Sequence, residues 1–526
     1  MASSKPHEDA DSEPELLAED EADEILEEAP DADVEMDSDA EDDGGGEEIT
    51  LQNDSAAYFD GHKDSVFAIA QHPLHSHIVA TGGSEGDADD APGRGYVLDL
   101  SAAGAAQPPV LPPSYAADAS SAAAVAATAA SAAGSKALQP VFTLEGHTDS
   151  ITALAFTQPD GAFLVSGGMD GRLRAYAVSC LSPSPATTTT SSSIPAFTFV
   201  GEAQETEDIS WIEPCPTTTY DAHAVALGAG DGSVWVYAVE PGGLRMVNSY
   251  FLHTAGCTAG AWTPDGALLA TVSEDGSLHV LDVWGVAAAA RGDNGQTVVS
   301  LTEADQRFSV EGGLYSVAVA PTGTFLAVGG NGGAIKIVGL PRIGGGEQPQ
   351  QRPAKGAKTA REAQRGVTEP SGQAGTILAS IKVQEESVES LSFSPAPQTL
   401  LAAGSVDGSI AVLDTARKFA VRRHIRGAHE DHSVVKVEFV KRAPGAATGW
   451  ALTSCGLDGV VRRWDLHGGA AGAAGSATAG VPGLVKEWRG HRGDGDGGGV
   501  LGFVQGETGE RVVTAGDDGI VLVFET

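Results

Sequence analysis

Residues 142–178 read FTLEGHTDSITALAFTQPDGAFLVSGGMDGRLRAYAV. An apolar segment leads into Gly146-His147, and an acidic turn follows at Asp149. An alternating strand spans Ile151–Phe156. The turn Pro159-Asp160-Gly161 reverses the chain into Phe163–Ser166, and Asp170-Gly171 turns it again into Leu173–Tyr176. Period-two alternation between short Asp-Gly turns describes consecutive antiparallel strands. A four-stranded sheet that is apolar on both faces cannot stand alone in water, so copies of it must stack against each other.

The copies are present. From Tyr58 onward the Asp-Gly step recurs at Asp231-Gly232, Asp275-Gly276, Asp407-Gly408, Asp458-Gly459 and Asp518-Gly519. Glu85-Gly86 fills that slot in the first copy and Gly332-Gly333 in a weaker one, which makes eight copies. Trp464-Asp465 is a literal Trp-Asp pair. Leu98-Asp99 and Leu413-Asp414 keep the acid, and Tyr176, Tyr237 and Phe524 keep an aromatic. Spacing beyond the usual ~40–45 residues per blade is explained by inserts at 101–137, 181–195, 341–375 and 467–483, rich in Ala, Ser, Pro, Gly or Gln and without strand alternation. They read as flexible loops leaving the rim. The expected fold is an all-β, eight-bladed WD-repeat β-propeller over residues 49–526. The last copy ends at Val521–Phe524 with no fourth strand after it. Residues 49–59 are expected to supply that strand and close the ring.

Residues 1–48 hold 22 acidic residues and a single Lys or Arg, Lys5, so they contribute −21 of the net charge of −41. They lack aromatics and are expected to be a disordered tail, because they offer too little apolar surface to offset ordering entropy. The remaining −20 falls on the repeats, so the folded part is acidic as well. Such a chain repels nucleic acid and anionic membrane and attracts cationic partners. The four cysteines (Cys180, Cys215, Cys257, Cys455) are scattered, with neither disulfide nor zinc spacing. No apolar run is long enough to span a bilayer, and the acidic start does not read as a secretory signal. A cytoplasmic protein, with the nucleus as a second location, is the expectation, as a monomer without cofactor.

His147, Ser166 and Asp170 form a trio that invites a hydrolase reading. His491, Thr514 and Asp518 repeat the layout in the last copy, and His62 with Thr81 gives a partial set in the first. Recurrence once per repeat is what a hydrogen-bonded brace between two turns produces, and no G-x-S-x-G elbow accompanies it. No catalytic role is expected. His72, His75 and His77 lack a carboxylate or thiol partner, so no metal is expected there. Gly44–Gly46 and Gly497–Gly499 lack the Lys of a phosphate loop. The basic stretch Arg352–Arg365 lacks aromatics and lies in an insert, so it reads as a solvated loop and not as a nucleic-acid site.

Acids recur at fixed places. Asp64, Asp149, Glu207 with Asp208, Glu385 with Glu386, and Glu430 with Asp431 stand just before the strand that follows the Gly-His position. Glu274 and Asp517 each precede the Asp of an Asp-Gly turn. In a propeller both loop classes emerge on one face. The pattern therefore predicts an acidic ring around one mouth of the central channel, suited to a basic protein or peptide. A plain preference of turns for Asp is the alternative source of the pattern.

The run Asn53-Asp54-Ser55, then Phe59-Asp60-Gly61-His62-Lys63-Asp64-Ser65-Val66-Phe67-Ala68-Ile69-Ala70, then His72-Pro73 and Ala80-Thr81-Gly82-Gly83, resembles the opening blade of the angio-associated migratory cell protein family. That family includes the yeast WD-repeat chaperone dedicated to a large-subunit ribosomal protein. Residues 142–171 and the acidic tail fit it too. The resemblance follows repeat order from residue 49 and is specific in the first two blades. It departs in the long inserts and at Gly332. It implies an eight-bladed, non-catalytic cytoplasmic protein whose acidic face holds the basic N-terminal segment of an L-ten-type ribosomal protein until that protein joins the large subunit. The animal member is linked instead to cell migration. A signalling or cytoskeletal scaffold, and an acidic histone-binding chaperone in the nucleus, are the alternative functions.

Overall fold

The computed structural model describes residues 53–86, 91–103, 137–179, 195–291, 295–341, 373–442, 449–467, 481–492 and 498–526. Residues 1–48 and most of the four inserts lie outside them. The described chain from Asn53 is all-β apart from short helical turns, and it forms eight four-stranded antiparallel sheets. Each blade lays its strands outward in chain order. Blade two, for example, runs Ile151–Phe156, Phe163–Gly168, Arg172–Ser179 and Ala196–Gln204. The innermost strands of the eight blades touch in cyclic order, from Ala68–Gln71 in blade one round to Val500–Val504 in blade eight and back to blade one.

Closure is made by exchange of chain ends. Ala57–Phe59 pairs antiparallel with Val521–Glu525, with Ala57 opposite Val523 and Phe59 opposite Val521. The fourth strand of blade eight therefore comes from the start of the described chain. Of the segment 49–59 read from sequence, Ala57–Phe59 form this strand and Asn53–Ala56 is bound by single bonds, such as Asp54 N–H to the Arg489 carbonyl at 2.8 Å, while residues 49–52 lie outside the described residues.

Stacking follows from strand alternation. In the second strand of blade two, Leu164 faces blade one and Val165 faces blade three. Repeating this around the ring yields eight hydrophobic clusters, one in every seam between blades. The seam between blades eight and one joins Ala57, Phe59, Val513 and Val523 to Val79, Leu98 and Leu100, all buried. Each fully buried residue of this size contributes roughly 1.5–3 kcal/mol, so the ring is held by all its seams together.

Antiparallel order fixes which loops share an end. Turns between second and third strands lie at the same end as the connections from one blade's fourth strand to the next blade's first. Turns between first and second, and between third and fourth, lie at the other. The inserts 101–137, 181–195, 341–375 and 467–483 all connect a third strand to a fourth, so their flanking strand ends lie at that second end.

Candidate functional site

The first end of the propeller is built on hydrogen-bonded braces. In blade two His147 Nε2 lies 2.8 Å from Ser166 Oγ, and Nδ1 lies 3.0 Å from Asp170 Oδ1. Asp170 also accepts from the Thr148 and Arg172 amides. Burial opposes its charge, but the His147 and Thr148 hydrogen bonds outweigh burial and hold its carboxyl below the usual range. In blade eight His491 bridges Thr514 Oγ1 at 2.7 Å and Asp518 at 3.0 Å. In blade one His62 meets Thr81 Oγ1 at 2.9 Å, while Glu85, in the acid's place, turns to Lys63 and Arg94. Burial pushes the His62 imidazole down to about 3, so it is neutral.

Ser166 is fully buried and His147 nearly so. The trio thus has no approach for a substrate, and its geometry is that of a turn support. Gly171 is required in the same turn, because its φ is +67° and a Cβ there would lie 1.9 Å from the Thr206 carbonyl.

Two braces were missed in the sequence. His429 spans Ser454 Oγ at 2.8 Å and Asp458 at 2.9 Å, with Trp464 Nε1 donating to the same Ser454 oxygen. Arg462 adds an ion pair to Asp458. Burial raises the Asp458 pKa, but His429 and Arg462 overcome it and bring it down to about 2. His253 joins Thr271 Oγ1 at 2.9 Å to Ser277 Oγ at 2.6 Å. Ala428 and Leu252 precede these histidines where Gly was sought, but the spacing to the Asp-Gly step was available as a signal. Blades three and six dispense with histidine. Asp208 receives the Gly230 amide, and Gln384 Nε2 reaches the Ser409 carbonyl at 2.9 Å.

These braces place the acidic positions. Glu207, Glu274, Glu385, Glu386, Glu430 and Asp431 are exposed at the first end. Asp64, Asp149, Asp208 and Asp517 are at the same end but half-buried, and each accepts a local bond: from the Ser65, Ser150 and Gly230 amides and from Ser65 Oγ respectively. Their charge is partly spent within the protein, which the sequence pattern did not separate from the exposed group. The Ser65–Asp517 bond, 2.6 Å, crosses the closing seam and ties the rim of blade one to that of blade eight.

Several nearby bases are paired within the protein: Lys63 and Arg94 share Glu85, Arg172 meets Asp170, and Arg307 meets Asp305. Further exposed acids at this end were not foreseen, among them Glu311 and Glu389. Glu311 stands three residues before the inner strand Leu314–Val319, as Glu385 does before Val388–Phe393, but blade five has neither a histidine nor an Asp-Gly step from which to count. Glu389 occupies an extra residue in the strand register between Val388 and Ser390, and such bulges redirect a side chain against the period-two rule.

At the second end His72 Nδ1 accepts from the Leu74 and His75 amides, and its ring packs on Gly161. Among the described residues no cluster of three or more His, Cys, Asp or Glu side chains is arranged to hold a metal, and no helix is long and apolar enough to cross a membrane.

Comparison with known proteins matches the WD domain, G-beta repeat, at residues 138–177, 245–282 and 375–414. The ribosome assembly protein SQT1 of Saccharomyces cerevisiae is 25% identical over 304 residues, covering 55% of this chain and 55% of its own length. The chain thus aligns with about half of that relative. The human angio-associated migratory cell protein is 24% identical over 73% of this chain and 69% of its own. Among solved structures, Sqt1 from Chaetomium thermophilum is 57% identical, covering 90% of this chain and 98% of that one, with a TM-score of 0.72. A second structure of that protein, bound to the N-terminus of the ribosomal protein L10, is 56% identical, covering 90% of this chain and all of that one, with a TM-score of 0.72. With a matching ring and over half of its residues shared with a protein that it covers almost end to end, this chain belongs to the Sqt1 family of WD-repeat propellers.

Proposed function

We propose that this propeller is a dedicated, non-catalytic chaperone for ribosomal protein L10 in large-subunit assembly. It captures the basic N-terminal segment of that protein on its acidic rim in the cytoplasm. The observation that carries the reading is the gathering of Glu207, Glu274, Glu385, Glu386, Glu430 and Asp431, from separate blades, at one end of a rigid ring. Asp64, Asp149, Asp208 and Asp517 deepen the negative potential from below. The Sqt1 of C. thermophilum, with the L10 N-terminus bound, supplies the client by kinship. Converging carboxylates raise the encounter rate of a cationic segment and neutralise charge that would otherwise draw the newly made protein onto RNA.

The test is reversal of the exposed Glu385, Glu386 and Glu430 to Lys, with affinity for an L10 N-terminal peptide measured by calorimetry at about 50 mM and about 500 mM salt. Wild-type affinity should fall steeply between the two conditions, and the triple variant should lose most binding at low salt with an unchanged melting temperature. Unaltered low-salt affinity in the variant rejects the rim as the site. Preferential retention of histones over L10 from lysate would move the protein to a histone-chaperone role.

A further inference from the structure

One position of the rim repeats in every blade: the residue just before the Asp of the turn between second and third strands. In six blades its amide donates to the carbonyl of the residue immediately before the inner strand. Met169 reaches Ser150 at 2.9 Å, Glu274 reaches Gly256 at 3.1 Å, and Asn331 reaches Gly313 at 3.1 Å. Val406 reaches Ser387 at 3.0 Å, Leu457 reaches Ser433 at 3.0 Å, and Asp517 reaches Gly499 at 2.9 Å. The slot is held by backbone bonds, so its side chain is not needed for the turn.

Turns of this kind ordinarily carry Asp, Asn, Ser or Gly, as blades one, three, five and eight do with Ser84, Gly230, Asn331 and Asp517, and blade four carries the acid Glu274. Blades two, six and seven carry Met169, Val406 and Leu457 instead. Met169 is 52% exposed and Leu457 41% exposed, while Val406 is half-buried. Phe67, 43% exposed, stands at the head of the inner strand of blade one at the same end. Large apolar side chains presented to water on rigid turns, among exposed carboxylates, gain nothing for the fold by being exposed. They gain when a ligand covers them.

The cyclic order of blades sets the layout. Glu274 and Asp517 belong to blades four and eight, which face each other across the channel mouth. Met169 and Val406 belong to blades two and six, on the crossing axis, with Leu457 beside Val406.

We infer that the rim reads two chemistries at once, its carboxylates taking Lys and Arg while Met169, Val406 and Leu457 take apolar side chains set between them. The preferred ligand is therefore an amphipathic basic segment and not any polycation. This rests on the proposed function and adds the discrimination that charge alone lacks, since a purely acidic ring would take up any basic tail in the cell.

The test uses Met169→Ser and Leu457→Ser, with Glu385→Lys/Glu386→Lys as the charge control. The probes are an L10 N-terminal peptide and deca-lysine, and folding is checked by thermal melts. Each Ser variant should weaken the L10 peptide by about tenfold at both low and high salt, with deca-lysine affinity unchanged. Unchanged L10 affinity in both Ser variants, alongside loss in the charge control, overturns the apolar component and leaves the acidic rim standing. Equal weakening of deca-lysine overturns it too, since the effect would then be a general disturbance of the rim. If the charge control binds the L10 peptide normally, the site assignment itself falls, whatever the Ser variants do.

Discussion

Removing the closing strand should be among the most damaging short deletions in the chain. Ala57, Tyr58 and Phe59 are 0%, 3% and 4% exposed, and they divide between two seams: Tyr58 packs with blade seven, Ala57 and Phe59 with blade one. Truncating a buried aromatic to Ala costs about 3–5 kcal/mol, so losing Tyr58 and Phe59 together costs about 6–10 kcal/mol before the broken ladder is counted. Unfolding entropy near 2.1 cal/mol/K per residue, over roughly 360 ordered residues, gives on the order of 0.8 kcal/mol/K. The expected drop in Tm is thus about 8–13 °C. The assay is differential scanning fluorimetry of a chain starting at residue 60 against one starting at residue 51. A synthetic 51–59 peptide added in trans should restore part of the loss, because it binds only the folded ring. A drop below about 2 °C, or no response to the peptide, would refute the view that chain-end exchange closes the propeller.

Asp458→Ala takes from buried Arg462 one of its two acid partners, leaving Glu487, and from His429 its carboxylate, so it should destabilise by about 3 kcal/mol, at the upper end of the ~1–3 kcal/mol expected for Asp170→Ala; urea titration of the two variants compares them directly. The buried histidines set a pH limit. Burial, with the neighbouring His279, lowers His253 from 6.5 to about 4, so the native state binds fewer protons than the unfolded chain in that interval. The stability this provides is complete above pH 6.5 and is lost as pH falls towards 4, on the order of 3 kcal/mol. Melting curves from pH 7.5 to 4.5 should show the loss, and His253→Gln should flatten it; an equal slope in the variant contradicts the assignment.

The repeat was legible because its grammar is local. The Gly146-His147 and Asp170-Gly171 steps and the alternation of Phe163–Gly168 each report a backbone requirement within a few residues. Closure was legible for a related reason: the last copy lacked a strand that only the start of the chain could provide. The site was legible in part. Acids before inner strands could be counted wherever a histidine or an Asp-Gly step set the frame, but Glu311 leads into blade five, which has neither, and was passed over. Glu389 sits on a bulge, where alternation gives the wrong face. Nor did position reveal which acids are spent internally, since the bonds of Asp517 to Ser65 and of Asp208 to Gly230 depend on residues brought together only by folding. The apolar residues of the rim looked like ordinary core in the sequence, because nothing local separates an exposed Met169 from a buried one.

The separation of the two ends has a practical and an evolutionary side. Every large insert joins the strands whose tips point away from the carboxylate-bearing mouth. Changes in the length of those segments enter the chain at strand tips remote from the acidic mouth, so that end is where lineages have latitude to differ. It is also where a fluorophore, an affinity handle or a second module can be grafted, for instance within 342–372, leaving the acidic mouth open.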